Sequence, residues 1–169
     1  LNNRDVPGLF AKADTVPVFS RRIRMWGVEI IHVSKNGKTE TGNFGLRGVD
    51  PDHLELERTT LLSGRFLHTG DVDGAKKVAV VGPNIVQELF QNRDAVGAFI
   101  RLNGVLFQVV GTFEDPGSRW ENRVVYIPFT TAQSLFRSDD SMEQIILGTG
   151  VLTTEETVVQ SANMLSWLK

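Results

Sequence analysis

The sequence predicts an α+β fold of two subdomains: an outer α/β subdomain formed by the N- and C-terminal segments, and an inserted β-rich subdomain with short helices. Strand-like and helix-like segments alternate along the 169 residues, and two Asn-Gly pairs separate apolar runs. Turn-rich stretches at 48–50 and 137–141 bracket the middle of the chain. We therefore place the outer subdomain at residues 1–47 plus 138–169 and the inserted subdomain at 48–137.

The N-terminal region predicts a short helix and then a hairpin. Pro7, two residues after Asp5, is typical of a helix start. Strand-like runs follow at 15–26 and 27–48, and the Asn36-Gly37 pair separates "VEIIHVSK" from "KTETGNFGLRG". Such a pair favours a type I′ turn, which needs positive φ at both central positions. The glycines of "GNFGLRG" are expected to mark a strand end with tight turns.

The middle of the chain predicts short helices and a second hairpin. Asp50 as N-cap and Pro51 as the first helical residue predict one or two helical turns in "PDHLELE". A buried strand at 77–82 precedes a helix that Pro83 opens, and Asn103-Gly104 predicts the second hairpin. The expected core of this segment consists of Val78 to Val81, Leu89, Phe90, Phe99, Phe107 and Val109.

The C-terminal region predicts a strand, a helix, another strand and a last amphipathic helix. "RVVYIP" and "FTTAQSLF" form the first two, and "EQIILGTG" is expected to pair with a strand from the 16–46 region. Thr153 or Thr154 is the expected N-cap of the last helix. That helix is expected to pack on the shared sheet through Val158, Ala162, Leu165 and Trp167 or Leu168.

Composition excludes several classes of protein. Apolar residues make up 41% of the chain, enough for a core, and the net charge of −2 gives no reason to expect nucleic acid as a partner. The absence of cysteine excludes a disulfide scaffold and thiolate metal sites. No run approaches the ~20 apolar residues of a membrane span, and the first residues do not form a signal peptide. We expect a soluble piece of a longer protein.

The histidines show no metal-binding pattern. His32, His53 and His68 lack the i, i+4 spacing that places two ligands on one helix face. Structural or solvated roles are therefore expected for all of them. The "DVDG" sequence at 71–74 lacks the remaining ligands of a calcium loop and predicts a turn.

Three acids lie near Trp120, namely Glu114, Asp115 and Glu121. With two arginines beside them, they are more typical of a solvated charge cluster than of a catalytic pair. Trp26 and Trp120 are expected to pack in the core or at its edge. The residues therefore predict no catalytic site, no cofactor and no metal.

Four phrases in a fixed order carry a resemblance to a known family. They are "GVDPDHLELERTTLLSGRFLHTGD", "KKVAVVGPNIVQELFQNRDAVGAFIRLNGVLFQVVGTFED", "RVVYIPFTTAQSLF" and "EQIILGTG". In this order and spacing the chain, from Val28 to its end, resembles the periplasmic core domain of MacB-like ABC transporter permeases, which are related to FtsX. The residues that match the family pattern, taken here as a structural motif, are Gly64, Arg65, Phe66, Asp71, Gly82, Phe90, Gly97, Gly111 and Pro128.

The resemblance implies a non-catalytic domain outside the cytoplasmic membrane. Such permeases have four membrane helices, and this domain lies between the first and the second, on the periplasmic side of the cell inner membrane. They form a permease dimer and are driven by a cytoplasmic ATPase domain or subunit. Their periplasmic domains transmit the conformational change to a substrate outside the membrane, and in tripartite members they also dock a periplasmic adaptor protein. The domain itself is implied to bind no ATP.

The stretch at 61–71 predicts a structural corner within this pattern. Gly64 permits a sharp turn where a side chain would clash, and Arg65 is expected to bind backbone carbonyls or Asp71. Phe66, with the Leu61-Leu62 pair, is expected to seal the short helix onto the sheet.

Two other functions stay open. A module that holds a peptide, lipid or drug would need a deep apolar cleft between the subdomains. A hydrolase that uses Asp71 or Glu114 would need a converging acid–base pair, which the spacing does not indicate.

Overall fold

The computed structural model describes residues 18–34, 36–136 and 144–148, which form one mixed sheet with short helices. The strands are β1 (Phe19–Val33), β2 (Thr39–Val49), β3 (Thr60–Gly64), β4 (Val78–Val81), β5 (Phe99–Leu102), β6 (Val105–Glu114), β7 (Val124–Pro128) and β8 (Gln144–Leu147). The helices are α1 (His53–Leu56), α2 (Thr69–Asp73), α3 (Pro83–Phe90) and α4 (Phe129–Phe136), with a 3-10 turn at Glu121–Arg123. The predicted mixture of strands with few short helices is confirmed.

The strand pairings close the sheet on itself. The order is β2-β7-β4-β6-β5-β1-β8, and β1 also pairs with β2, so that six strands make a ring. β3 extends the sheet from β6, and β8 extends it from β1. Since successive side chains of a strand point to opposite faces, the ring has an inner and an outer face with different sets of side chains.

β1 connects most of this ring. Its first half pairs with β2 and β8, and its second half pairs with β2 and β5. A bulge lies between Met25 and Val28, where Gly27 has a φ of +65°. The two runs predicted at 15–26 and 27–48 therefore meet within one bent strand.

Both predicted hairpins are present, but their turns differ. Asn103 and Gly104 have φ values of +44° and +86°, as a type I′ turn requires. In the first hairpin Gly37 has a φ of +81°, and the Ser34 amide donates to the Lys38 carbonyl at 2.8 Å, which leaves a loop of three residues instead of two. The Gly37 amide donates to the Ser34 carbonyl at 2.8 Å. The type I′ turn expected at Asn36-Gly37 is therefore wrong, although the hairpin itself is confirmed.

The predicted pairing of the C-terminal strand with the N-terminal region is confirmed. β8 runs antiparallel to the first residues of β1, with Phe19 opposite Leu147. The Gly148 amide donates to the Val18 carbonyl at 2.7 Å. The helices predicted near the N terminus and at 153–168 lie outside the described residues.

The inner face of the sheet buries an apolar core. Ile85, Leu89 and Phe90 of α3 are buried there, as the helical periodicity predicted, and α4 adds Phe129 and Ala132. The buried side chains from the strands are Ile23, Val28, Ile30, Phe44, Leu46, Ala79, Val81, Ile100, Leu102, Phe107, Val109, Val125 and Ile127.

The outer face is covered over part of its area. Phe66 and Leu67 pack there, with Leu54 of α1 and Leu61 of β3 partly buried beside them. They cover side chains from β2, β4, β6 and β7, namely Val49, Val78, Val80, Phe113, Val124 and Tyr126. The outer side of β5 and of the first half of β6 has no such cover among the described residues.

Two apolar side chains that the sequence placed in buried contacts are exposed. Phe99 is 51% exposed, because strand alternation turns its neighbour Ile100 inward and Phe99 outward. Leu62 is 54% exposed on the edge strand β3, while Leu61 packs on the outer cluster. The predicted core position of Phe99 and the predicted sealing contact of Leu62 are therefore wrong.

α1 begins later than predicted, because Asp50 is not its N-cap. The Asp50 carboxylate accepts hydrogen bonds from the Arg21 guanidinium at 2.7 and 2.8 Å and from the Arg21 amide at 2.8 Å. The N-cap is Asp52, which makes no capping bond through its side chain. The pairing of β1 with β2 places Arg21 beside Asp50. The Asp50 carboxylate therefore binds Arg21 and does not cap the helix, contrary to the prediction from the local sequence.

The glycines of "GNFGLRG" lie inside β2, so the expected strand end is wrong. A β-carbon on Gly48 would overlap the side chain of Ala132 in α4, and one on Gly45 would lie 2.9 Å from Val124. Both glycines therefore permit close packing of neighbouring elements on β2.

The N-terminal strands and the inserted segment share one sheet and one core. Leu89 and Phe107, predicted for a core of the middle segment alone, pack in one cluster with Ile30 and Phe44 of β1 and β2. Much of the outer subdomain, at 1–17, 137–143 and 149–169, lies outside the described residues. The division into 1–47 plus 138–169 and 48–137 stays a prediction.

Candidate functional site

A corner between β3 and α2 brings several motif residues together. Gly64 has a φ of +69°, and a β-carbon on it would overlap the carbonyl oxygen of Val110. Opposite it, a β-carbon on Gly111 would overlap the carbonyl oxygen of Arg65. The Arg65 amide donates to the Val110 carbonyl at 2.9 Å. The two backbones therefore approach too closely for a side chain at either glycine.

Asp71 is fully buried at this corner and surrounded by donors. Nη1 of Arg65 donates to Oδ2 of Asp71 at 2.6 Å and to the Phe66 carbonyl at 2.9 Å, which confirms the expected contact. The His68 amide donates to the same carboxylate at 3.2 Å, and Nζ of Lys76 lies 3.5 Å from it. Burial by itself raises the pKa of Asp71, but the hydrogen bonds from Arg65 and His68 outweigh it and lower the pKa below its ordinary value.

Four other motif residues lie elsewhere in the fold. Gly82 precedes α3, and Phe90 ends that helix and packs 4.2 Å from the ring of His32. Gly97, with a φ of +84°, lies before β5, and Pro128 ends β7. The motif residues therefore do not surround a common site. They lie at turns, at the ends of helices and strands, and where two backbones approach closely.

A second polar cluster lies under the covered part of the outer face. Nη2 of Arg47 donates to Oε2 of Glu121 at 2.6 Å, and its Nε donates to Oε1. The Tyr126 hydroxyl donates to Glu121 at 2.9 Å, and all three residues are buried. Burial raises the pKa of Glu121, but the bonds from Arg47 outweigh it and lower the pKa; burial beside this carboxylate raises the pKa of Tyr126. The bidentate pairing joins β2 to the 3-10 turn that precedes β7.

The expectation of a solvated cluster at Glu114, Asp115 and Glu121 is wrong for Glu121. Its side chain turns inward at the 3-10 turn, whereas Glu114 is exposed and Asp115 accepts a local hydrogen bond from Gly117 at 2.8 Å. The available signal was Arg47, a charged residue in the buried end of a strand, which requires a buried partner.

His53 packs against this cluster without a hydrogen bond. Its ring lies edge-on to Tyr126 at 5.1 Å, and both ring nitrogens are buried without a partner among the described residues. Burial, together with the nearby Arg22 guanidinium, lowers the pKa of His53 to about 3. A neutral, buried ring fits the structural role expected for it.

The two tryptophans differ in their surroundings. Trp26 is 59% exposed and lies with its ring 5.3 Å from the Arg47 guanidinium, at the edge of the covered face. Trp120 is 72% exposed, so the packing expected for it is wrong. It lines an open groove of about 380 Å³ with Asn84, Arg119, Asn122 and Arg123. The groove lacks the enclosing apolar walls typical of a small-molecule pocket.

The described ranges, 18–34, 36–136 and 144–148, contain no group of three His, Asp or Glu side chains placed to hold a metal ion. No helix within these ranges is long and apolar enough to cross a lipid bilayer. Asp71 is buried and ion-paired, whereas Glu114 is exposed at the end of β6. The two acids named for the hydrolase hypothesis, Asp71 and Glu114, therefore do not converge on one site.

Comparison with models of known protein families shows to which family the chain belongs. The model of the MacB-like periplasmic core domain matches residues 2–163. The chain belongs to this family. The resemblance found in the sequence is thereby confirmed, and the chain is the periplasmic core domain of a MacB-like ABC transporter permease.

Curated relatives of this MacB-like domain are ABC transporter proteins. The macrolide export ATP-binding/permease protein MacB of Syntrophobacter fumaroxidans is 26% identical over 142 residues, which cover 82% of this chain and 19% of that protein. The uncharacterized ABC transporter permease YvrN of Bacillus subtilis is 30% identical over 88 residues, which cover 48% of this chain and 22% of that protein. The chain thus spans about a fifth of the length of these relatives.

Solved structures show the same fold. The periplasmic region of MacB from Actinobacillus actinomycetemcomitans matches with a TM-score of 0.76 at 20% identity, covering 99% of this chain and 74% of that one. The extracellular domain of the transporter YknZ from Gram-positive bacteria matches with a TM-score of 0.74 at 15% identity, covering 95% of this chain and 78% of that one. At these identities the similarity concerns the fold alone.

Proposed function

We propose that this domain is a non-catalytic transmitter of movement in an ABC transporter permease. The permease lies in the cell inner membrane as a dimer, and an ATPase domain or subunit of the same transporter drives it. ATP-driven movement of the membrane helices displaces the domain, which exports or extracts a substrate on the periplasmic side. In a tripartite assembly, a periplasmic adaptor protein docks on the domain.

The pairing of β1 with β8 carries this proposal. It holds Val18 and Gly148, the first and last residues that the structure describes, together through a hydrogen bond of 2.7 Å. A domain inserted between two membrane helices needs both ends on one side, so that the helices displace them together. The β1–β8 pairing supports the proposal, because it brings the chain on both sides of the described part to one place.

From the paired ends, hydrogen-bonded strands lead into the rest of the domain. β1 is 15 residues long and pairs with β2 and β5 beyond the bulge at Gly27, and the ring encloses the apolar core. Close-packed interiors have low compressibility and transmit strain. A displacement of the two ends is therefore expected to move the sheet as one body.

Neither alternative function gains support from the described residues. A ligand-binding module is expected to have a deep apolar cleft, whereas the groove at Trp120 is open and four of its five lining residues are polar. An enzyme is expected to have free acids in a cleft, whereas Asp71 and Glu121 are tied to arginines. The proposal assigns ATP binding and hydrolysis to the ATPase domain or subunit, and none to this domain.

Flexible linkers in the full-length transporter test the proposal. A Gly-Ser linker of about six residues before Val18 and another after Gly148 let the helices move without displacing the sheet. We expect ATP hydrolysis to continue and export to fall to background. Export is measured as resistance to compounds against which the unmodified transporter protects cells.

The control places the same linker in the turn between Ser34 and Lys38, at the far end of the β1–β2 hairpin, where it interrupts no path from the membrane. This variant is expected to keep both ATP hydrolysis and export. Full export by the variant with linkers at both ends would contradict mechanical transmission, because the domain would then act without a stiff connection.

A further inference from the structure

The uncovered part of the outer face carries a cluster of apolar side chains, called here the open face. It consists of Ile31 and Val33 of β1, Phe99 of β5 and Leu106 of β6, with Arg101 among them. Val33, Phe99 and Leu106 are 59%, 51% and 51% exposed. Strand register places Ile31 opposite Arg101 and Arg101 opposite Leu106, so their side chains are neighbours on one surface.

The open face continues the same side of the sheet that is covered elsewhere. On β2, β4, β6 and β7, Phe66 and Leu67 bury the outer side chains. No described residue provides such a cover over Phe99 and Leu106. Clustered exposed apolar side chains on a folded domain mark a surface that contacts something else.

Arg101 lies within the open face, and its guanidinium has no partner among the described residues. Its side chain is exposed and makes no hydrogen bond or ion pair with any described residue. Ile31 and Leu106 flank it on the neighbouring strands, and Phe99 lies on the same side of its own strand. A ligand that covers these apolar groups also desolvates the guanidinium, which then requires an acceptor. Arginine among apolar side chains is typical of binding hot spots.

The rim of the open face is polar. Thr39 and Thr41 of β2 lie opposite Val33 and Ile31, and Gln108 of β6 lies opposite Phe99; all three polar residues are exposed. With strands about 4.8 Å apart and about 3.4 Å per residue, the face measures roughly 15–20 Å on each side. This is well below the ~800 Å² per partner of a stable globular interface, but it matches one helix or strand of a partner.

We propose that the open face docks an acidic, amphipathic segment of a partner protein, in which a Glu or Asp flanked by Leu, Ile or Phe pairs with Arg101. The surface goes beyond the transmission function and does not depend on it. A second copy of this chain fits poorly, because a two-fold axis through the face would bring two Arg101 guanidinium groups together. The described ends, Val18 and Gly148, lie at the opposite end of β1, about 40 Å of extended strand from Ile31.

The proposal is tested with a displayed library of random helical peptides, followed by reversal of the charges at Arg101 and in the selected peptides. The library is selected against the chain and then measured against Arg101→Glu and against the matched control Arg119→Glu. Arg119 is also exposed and also has no ion-pair partner among the described residues, but it lies at the Trp120 groove. We expect enriched peptides with a Glu or Asp between apolar residues. Their affinity should fall at least tenfold on Arg101→Glu and stay unchanged on Arg119→Glu, and Lys in place of the peptide acid should restore binding to Arg101→Glu.

Other occupants of the open face give different results. If a segment of this chain covers the face, Phe99→Ser lowers the thermal unfolding midpoint by several degrees, whereas the proposal predicts no loss. If a second copy covers it, sedimentation shows a dimer that Phe99→Ser dissociates. If lipid covers it, the chain binds neutral phosphatidylcholine vesicles through Phe99. Any of these results, an unchanged affinity on Arg101→Glu, or a failure to enrich acidic peptides overturns the proposal.

Discussion

The two arginine–carboxylate pairs of this domain use the same chemistry in different surroundings. The Arg65 side chain is 42% exposed, and its partner Asp71 is six residues away in the sequence. The Arg47 side chain is 7% exposed, and its partner Glu121 is 74 residues away. The first pair closes a local corner, whereas the second joins two distant segments inside the protein. The free energy of unfolding that each pair contributes therefore depends on the hydrogen-bond donors that its carboxylate keeps when the arginine is removed.

The two carboxylates differ in their remaining partners. Without Arg65, the Asp71 carboxylate still accepts the His68 amide and lies near Lys76. Without Arg47, the Glu121 carboxylate keeps only the hydroxyl of Tyr126 among its described hydrogen-bond partners. Both carboxylates are buried, so the free energy lost with the arginine depends on the donors that remain, and Glu121 keeps fewer of them than Asp71. The comparison therefore predicts unequal losses from the same substitution.

Arg47→Leu gives the largest expected effect. It leaves Glu121 buried without a cation, so the free energy of unfolding should fall by about 4 kcal/mol, measured by urea denaturation. The double variant Arg47→Leu/Glu121→Leu should recover most of this loss, because no unpaired charge remains. A loss below about 1 kcal/mol in the single variant would mean that solvent reaches the pair, and the contrast between the two regions would disappear.

Gly64→Ala tests whether the corner depends on backbone geometry more than on its ion pair. The new β-carbon would overlap the Val110 carbonyl at a positive φ, so a loss of about 3 kcal/mol is expected. Gly97→Ala is the matched control: φ is also positive there, but no atom lies within 4 Å of the new β-carbon. It should lose about 1 kcal/mol. Equal losses at the two positions would show that the close approach of β3 to β6 contributes nothing.

His53→Leu tests whether the buried His53 ring makes the stability of the domain sensitive to acid. The pKa of His53 is lowered from 6.5 to about 3 in the folded protein, so the unfolded chain binds more protons between these values. Stability is therefore lost as pH falls below about 6.5, by about 2 kcal/mol at pH 5. The variant should lack this part of the loss between pH 7 and pH 5, as measured by denaturation at each pH. An identical loss in both proteins would show that the ring is accessible to solvent.

Arg65→Leu gives the smallest expected effect. Solvent screens this half-exposed arginine, and Asp71 keeps other donors, so a loss of about 1 kcal/mol is expected. Arg65→Lys should lose less, because an ammonium can still pair with the carboxylate. The loss of unfolding free energy is measured by urea denaturation in parallel with Arg47→Leu. Equal losses in the two variants would contradict the predicted difference between the two ion pairs.

Local features of the fold could be predicted from the sequence. Asn103-Gly104 sets its turn through its own φ values, and the apolar spacing within α3 sets the buried side of that helix. Arg65 and Asp71 are close enough in the chain for the corner to be expected. In each case the atoms that determine the structure lie within a few residues of one another.

Features that depend on distant partners could not be predicted in this way. Glu121 looked like one of several loop acids, because nothing nearby indicates that Arg47 pairs with it across the sheet. Asp50 had the sequence context of an N-cap, but strand pairing gave its carboxylate to Arg21. Phe99 lies beside Ile100, and only the finished sheet shows which of them faces the core. The partners of Glu121 and Asp50 and the exposure of Phe99 depend on strand register and on which elements pack over the sheet.

Transmission of movement from the paired ends of the domain is the central claim, and spin labels test it most directly. Glu114→Cys places a label at the exposed end of β6, and the 169 residues of this chain contain no other cysteine. The distance between the labels of the two protomers is measured in the full-length transporter by pulsed electron spin resonance, without nucleotide and with ATP trapped. We expect the distance to change by several ångströms on trapping, and the change to vanish when flexible linkers flank Val18 and Gly148 while ATP hydrolysis continues. A distance that does not respond to ATP, or one that responds equally with the linkers present, would contradict the account.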